Sequence, residues 1–224
     1  MMRPMSLMCG MALLAVVLAM PAGPAAAAVP TLAVNIDNTG AGAASGPDVM
    51  IGWRFSTANP ISVSELGFWD DQANGLGEPH QIGIWTTAGS GTSADALLSA
   101  TVLAGTASPF HPGTFFRMAI FTPVTLPAGD YVIGALLPGN QIDSFKRTTD
   151  VTGFVAAPAI TYLERRFIGG TSGFSRPDST DTGLGQFGPN FGFAVVPEPS
   201  SVALAAFALA GFTARGLHRR KPSR

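Results

Sequence analysis

Cysteine is nearly missing from this chain of 224 residues. The single one, Cys9, stands near the start, after Met8 and ahead of the main apolar run. A lipobox would place it at the end of such a run after a small residue, so lipidation is not the expectation. With Cys9 in a segment destined for removal, the rest of the chain has no disulfide and no thiolate for catalysis or metal binding. Charge is scarce as well, at 12% of residues, with a formal net charge of −1. That near-neutrality hides an asymmetry. Between Val29 and Val196 there are 7 Lys and Arg against 13 Asp and Glu, while the remaining basic residues cluster at the two ends. A mildly acidic body lacks the positive surface that nucleic acid requires. Histidine is limited to His80, His111 and His218, too few and too widely spaced for a helical zinc motif. No nucleophile elbow, P-loop or dinucleotide fingerprint occurs, and Gly170-Thr-Ser-Gly173 is only a Gly/Ser-rich loop.

What is abundant is glycine and proline, 27 and 18 residues. With many Ser and Thr, this suits short strands joined by turns. The predicted strands are Val49 to Ser56, Ile61 to Trp69, Gln81 to Thr86, Thr114 to Phe121, Val124 to Leu126, Asp130 to Leu137 and Asn190 to Val196. In Ile61 to Trp69 the apolar parity switches from Ile61 and Val63 to Leu66 and Phe68, which predicts a bulge near Glu65 or Gly67. In Thr114 to Phe121, Phe116, Met118 and Ile120 share a face. Val124 to Leu126 and Asp130 to Leu137 are expected to pair across Pro127-Ala-Gly129. Ala94 to Ala104 reads as helix or strand, with strand favoured after residue 98. The expected fold is all-β: an antiparallel β-sandwich, Greek-key or jelly-roll-like. Leu126-Pro-Ala-Gly-Asp-Tyr131 supports it, since Leu-x-x-Gly-x-Tyr has the form of a tyrosine corner.

The ends carry targeting signals. Arg3 precedes an apolar stretch from Leu7 to Met20, and Pro21 to Ala28 supplies small residues. Ala26 and Ala28 satisfy the A-x-A rule, so residues 1–28 read as a signal peptide cleaved by signal peptidase after Ala28. The body is expected over residues 29–194. At the far end Val196-Pro197-Glu198-Pro199 leads into Val202 to Ala214, which has no charge, and then Arg215, His218, Arg219, Arg220 and Lys221. A helix over about 200–217 approaches the length of a membrane span. The basic end 218–224 should stay cytoplasmic and leave the body outside. Two prolines hold the motif extended and exposed, and Glu198 is its single charge.

This ordered set resembles the PEP-CTERM sorting signal. The resemblance implies an exported protein, recognised by exosortase, a membrane-embedded Cys-dependent processing enzyme usually found in Gram-negative bacteria that make exopolysaccharide. It implies transient anchoring on the periplasmic side of the inner membrane, then release to the cell surface or the exterior. The body has a cadence of its own: Leu66-Gly-Phe-Trp-Asp70, Gly75 to Trp85, Leu97 to Val102, Phe116-Arg117 and Leu126 to Ile133. It resembles an uncharacterised exported β-sandwich domain common ahead of such tails, which implies a fold and no activity.

Three functions are compatible with these residues. The first is a non-enzymatic surface or matrix protein associated with exopolysaccharide or biofilm. The second is a glycan-binding module, for which Trp53, Trp69 and Trp85 would have to be exposed; in strands beside aliphatics they more often fill a core. The third is a glycoside hydrolase with two carboxyls brought together from distant strands. The densest polar cluster runs from Asp70 to His80. Asp70, Asp71, Asn74 and Glu78 offer oxygens of the type calcium takes, without the spacing of an EF-hand. The same residues read as a turn signalled by Asn74-Gly75, with His80 orienting the Asp70 loop through a hydrogen bond. No cofactor is expected beyond calcium, which only the first of these readings would hold.

Overall fold

The structure is a computed structural model that describes residues 29–36, 42, 48–139, 143–147, 153–170, 173–180 and 185–196. Its strands are β1 (Thr31–Leu32), β2 (Val34–Asn35), β3 (Val49–Thr57), β4 (Ile61–Trp69), β5 (His80–Thr86), β6 (Leu98–Val102), β7 (Phe116–Leu126), β8 (Gly129–Leu137), β9 (Lys146–Arg147), β10 (Val155–Ala156), β11 (Thr161–Ile168), β12 (Gln186–Phe187) and β13 (Pro189–Val195). Among the described residues there is no α-helix, only two short 3-10 turns. No helix among them is long and apolar enough to cross a membrane. The expected signal peptide, with Ala26 and Ala28, and the helix expected over about 200–217 lie outside the described residues.

Alternation explains the strands. In β3, Ile51, Trp53 and Phe55 point into the core while Met50, Gly52 and Arg54 take the other face. Two antiparallel sheets result, in the orders β1-β13-β4-β7 and β11-β3-β8-β5-β6, with the short pairs β10-β2 and β12-β9 beside them. The main sheets share one hydrophobic core. Trp53 and Phe55 from one meet Phe191 from the other, with ring centroids 5.8 and 4.9 Å apart. The buried Trp53 indole donates to the Pro189 carbonyl at 3.0 Å, so its single donor is satisfied inside the core. Trp69 and Trp85 are also fully buried. Trp85 faces outward from its sheet but is covered by Phe174, 4.9 Å away, and donates to the Thr92 carbonyl. That cover lies over glycines of facing strands: a Cβ at Gly134 would come within 2.6 Å of Pro177, and one at Gly83 within 2.7 Å of Phe174. Glycine inside a strand here marks the close approach of another segment.

The expected bulge is present. β4 pairs Glu65 with Gly192 and Val63 with Phe193, so Ser64 is the extra residue, and the parity switch follows from it. One expectation needs correction. Val124 to Leu126 and Asp130 to Leu137 do not pair; they belong to β7 and β8, in different sheets. The reason is the tyrosine corner: the Tyr131 hydroxyl donates to the Pro127 carbonyl at 2.8 Å as the chain passes from one sheet to the other. Phe116, Met118 and Ile120 share a face as expected, opposite Trp69, Gly67 and Glu65, but not one cover. The loop through Pro109 covers Met118, whose N–H donates to the Pro109 carbonyl, and Ile120, beyond that cover, is 65% exposed. Tyr131→Phe keeps the ring and removes only the corner hydrogen bond. It should lower stability by about 1 kcal/mol, read by denaturant titration. No change in the midpoint would mean that the corner contributes nothing.

Candidate functional site

The Asp70–His80 cluster forms the connection from β4 to β5. Gly75 supplies the turn with φ +104°, a backbone conformation open to glycine. Asp70 is not a solvent-facing ligand. Its carboxylate is 1% exposed and accepts the Gly75 N–H at 3.0 Å and Arg117 Nε at 2.5 Å. Arg117, equally buried, donates a second bond to the Ser108 carbonyl at 3.0 Å, and its guanidinium lies 4.1 Å from the centre of the Phe110 ring. One ion pair thus ties the Asp70 turn to strand β7 and to the loop through Ser108.

His80 holds the same turn, though by another route than expected. Its Nε2 faces Asp143 at 2.9 Å, not Asp70, and its Nδ1 faces the Leu136 carbonyl at 3.2 Å. The ring stacks on Phe68 with centroids 3.8 Å apart. Asp143 in turn accepts the N–H groups of Gly77 at 2.7 Å and Glu78 at 2.9 Å. Burial alone would push the Asp143 carboxyl up. The His80 hydrogen bond and the two backbone donors together outweigh it and hold the group below the usual carboxylate range.

Asp70, Asp71, Asn74 and Asp143 line one cleft with Gly75 and Gly77. Calcium takes six to eight oxygens with free lone pairs. Here Asp70 is already engaged by Arg117 and the Gly75 N–H, and Asp143 by two backbone N–H groups and the His80 ring, so the arrangement is that of a stapled turn. Among the described residues, no group of three or more His, Cys, Asp and Glu is placed to hold a metal ion. The expected result is a melting temperature that is the same in calcium and in chelator. A calcium site would add about 2.7 kcal/mol at a hundredfold excess over Kd, and a rise in calcium that disappears in Asp71→Ala would contradict the stapled turn.

A second buried pair was not foreseen: His111 Nδ1 lies 3.0 Å from Glu65 Oε2. Nothing local in the sequence links residues 46 positions apart. Asp143 escaped for the same reason. Arg117 left a signal, because a lone charge between Phe116 and Met118 in an apolar strand calls for a buried partner.

The sorting end grows out of the sheet itself. β13 lies between β1 and β4, paired on both sides. Val196 N–H donates to the Pro60 carbonyl at 3.0 Å, and Pro197 comes next with no N–H to offer. Of the sorting residues, Val196 is described; Pro197, Glu198, Pro199, Arg219, Arg220 and Lys221 lie outside the described residues.

Residues 195–220 match the PEP-CTERM protein-sorting motif. The motif marks an exported protein and gives exosortase as its processing partner. No curated protein matches the chain, and no solved structure matches it. For the body, the fold alone speaks: antiparallel β-strands around one core.

Proposed function

We propose that this is a non-enzymatic surface or matrix protein, held on the periplasmic side of the inner membrane by its tail and then processed by exosortase to the cell surface or exterior, in association with exopolysaccharide. The observation that carries the reading is the sorting motif at residues 195–220, joined directly to a doubly paired strand. Nothing flexible separates the fold's last described backbone bond, Val196 to Pro60, from Pro197. The body is the cargo and the tail is its address.

The state of the body's side chains supports a scaffold. Trp53, Trp69 and Trp85 are buried in packing, so none offers an exposed face on which a sugar ring could stack. A glycosidase needs a carboxyl kept protonated beside one kept ionised. Four of the described carboxyls are tied up instead. Asp70 lies on Arg117, Glu65 on His111, and Asp143 on His80. Burial would raise Glu164, but its hydrogen bonds to Arg54 and Arg166 outweigh that and hold it low. The test is genetic. In a strain lacking exosortase the protein should keep its tail and fractionate with membranes, while the parent strain releases it. Identical fractionation in the two strains would sink the proposal.

A further inference from the structure

The Asn74-Gly75 turn carries a chemical liability as well as a shape. In such a pair the glycine backbone nitrogen can attack the asparagine Cγ, because the ring that closes is five-membered and glycine has no side chain to hinder it. A new C–N bond forms, the bond from Cγ to the side-chain nitrogen breaks, and ammonia leaves with the displaced proton. Water then opens the succinimide to aspartate or isoaspartate, so water is the only co-reactant. Asn74 is exposed to that water.

The fold holds the attacking nitrogen away from its target. The Gly75 N–H donates to both oxygens of the Asp70 carboxylate, at 3.0 Å to Oδ2 and 3.2 Å to Oδ1. Asp70 is buried and fixed by Arg117, so this acceptor cannot follow a moving turn. Asn74 stands at φ −90° and ψ −4°. Closing the ring requires rotation about that ψ to bring Gly75 N onto Cγ, and the rotation pulls the N–H off Asp70. Charge works in the same direction. Attack proceeds through the deprotonated nitrogen, and a carboxylate alongside disfavours a second negative charge. The turn is also held against its local preference: Gln72 and Ala73 have φ of +62° and +59°, a region costly for residues with a Cβ. Without the Asp70 acceptor the segment would leave that conformation and take Gly75 with it.

We infer that Asn74 is a latent self-modification site, an intramolecular deamidation, and that Asp70 is the positioning residue that keeps it silent. The change runs one way. A carboxylate at position 74 joins Asp70, Asp71 and Asp143 around the same cleft, where like charges repel. Isoaspartate also lengthens the main chain just ahead of Gly75 and displaces its N–H from Asp70. For an exported protein, which is not resynthesised in place, the buried Asp70–Arg117 pair thus guards chemical lifetime as well as shape.

The test incubates protein recovered from a producing strain at mildly alkaline pH. Peptide mass spectrometry follows the mass gain of the amide-to-acid change at Asn74. Breaking a hydrogen bond to a charged acceptor before attack should slow the reaction at least about tenfold. The folded parent should therefore keep Asn74 at least that much longer than a free peptide of residues 70–80. Asp70→Leu with Arg117→Met removes the acceptor without stranding a buried charge, and should deamidate about tenfold faster than the parent. Asp143→Asn loosens the turn from its other side and leaves Asp70 on Gly75, so it should lose Asn74 at close to the parent rate. Hydrogen exchange at the Gly75 amide of the parent needs no variant to fold, and strong protection is expected there. Parent protein that loses Asn74 as fast as the peptide, or exchanges Gly75 freely, would overturn the assignment. So would a folded double variant that keeps Asn74 as long as the parent. An Asp143→Asn protein as fast as the double variant would also overturn it, since the rate would then follow the looseness of the turn and not the Asp70 acceptor.

Discussion

Asp70→Ala should lower stability by about 3–5 kcal/mol, the cost of leaving one partner of a buried ion pair alone. Arg117 has 4% of its side chain exposed and Asp70 1%, so water cannot replace the lost carboxylate. The Gly75 N–H loses its acceptor in the same step. For a body of this size each kcal/mol shifts the melting temperature by about 2–4 °C, so the fall should be roughly 10 °C. The comparison that identifies the cause is the double variant Asp70→Leu with Arg117→Met. Replacing a buried pair by apolar residues of similar volume is often neutral, and the double variant should melt well above Asp70→Ala. If Asp70→Ala melts within about 2 °C of the parent, the pair is not buried in solution and the turn is not stapled as described.

Ala208→Asp has the largest expected effect on location. Val202 to Ala214 is a short uncharged run, about 20 Å as a helix at 1.5 Å per residue, against a hydrocarbon core of about 30 Å. A carboxylate near its centre adds an apparent insertion cost of about 3 kcal/mol. So short a run has little surplus hydrophobicity to absorb that. In a strain lacking exosortase, where the tail is proposed to anchor the protein, the variant should appear in the soluble or secreted fraction while the parent stays with membranes. Unchanged membrane retention would mean that residues 202–214 are not what holds the protein.

The long strands could be read from alternation because packing there is decided by near neighbours in sequence. β3, β4, β5 and β13 lie within a residue or two of their expected limits, and the bulge betrayed itself as a parity switch. β11 could not be read this way. Tyr162, Leu163, Glu164, Arg165 and Arg166 break the apolar pattern because the strand lies at a sheet edge with both faces half-wet, and Leu163 is 41% exposed. The β7–β8 pairing failed for a different reason. A short Pro-Ala-Gly link suits a hairpin and a crossover alike, and the tyrosine hydroxyl, not the turn sequence, marks the crossover. At the Asp70 turn the local signal of Asn74-Gly75 was legible. The clamps on it were not, since Arg117 and Asp143 come from 47 and 66 residues further along the chain.

The sorting tail was the most legible part because its signal is order and composition, which need no tertiary structure. Structure adds where that tail begins: the motif starts at Val195, the last residue of β13. The central claim is that this tail is removed, and mass spectrometry of the protein recovered from the surface or medium of a strain with exosortase tests it most directly. The account expects no peptide containing Arg219 to Arg224, and a new C-terminus close to Pro197-Glu198-Pro199. Recovered protein that ends at Arg224, with the basic residues intact, would contradict it.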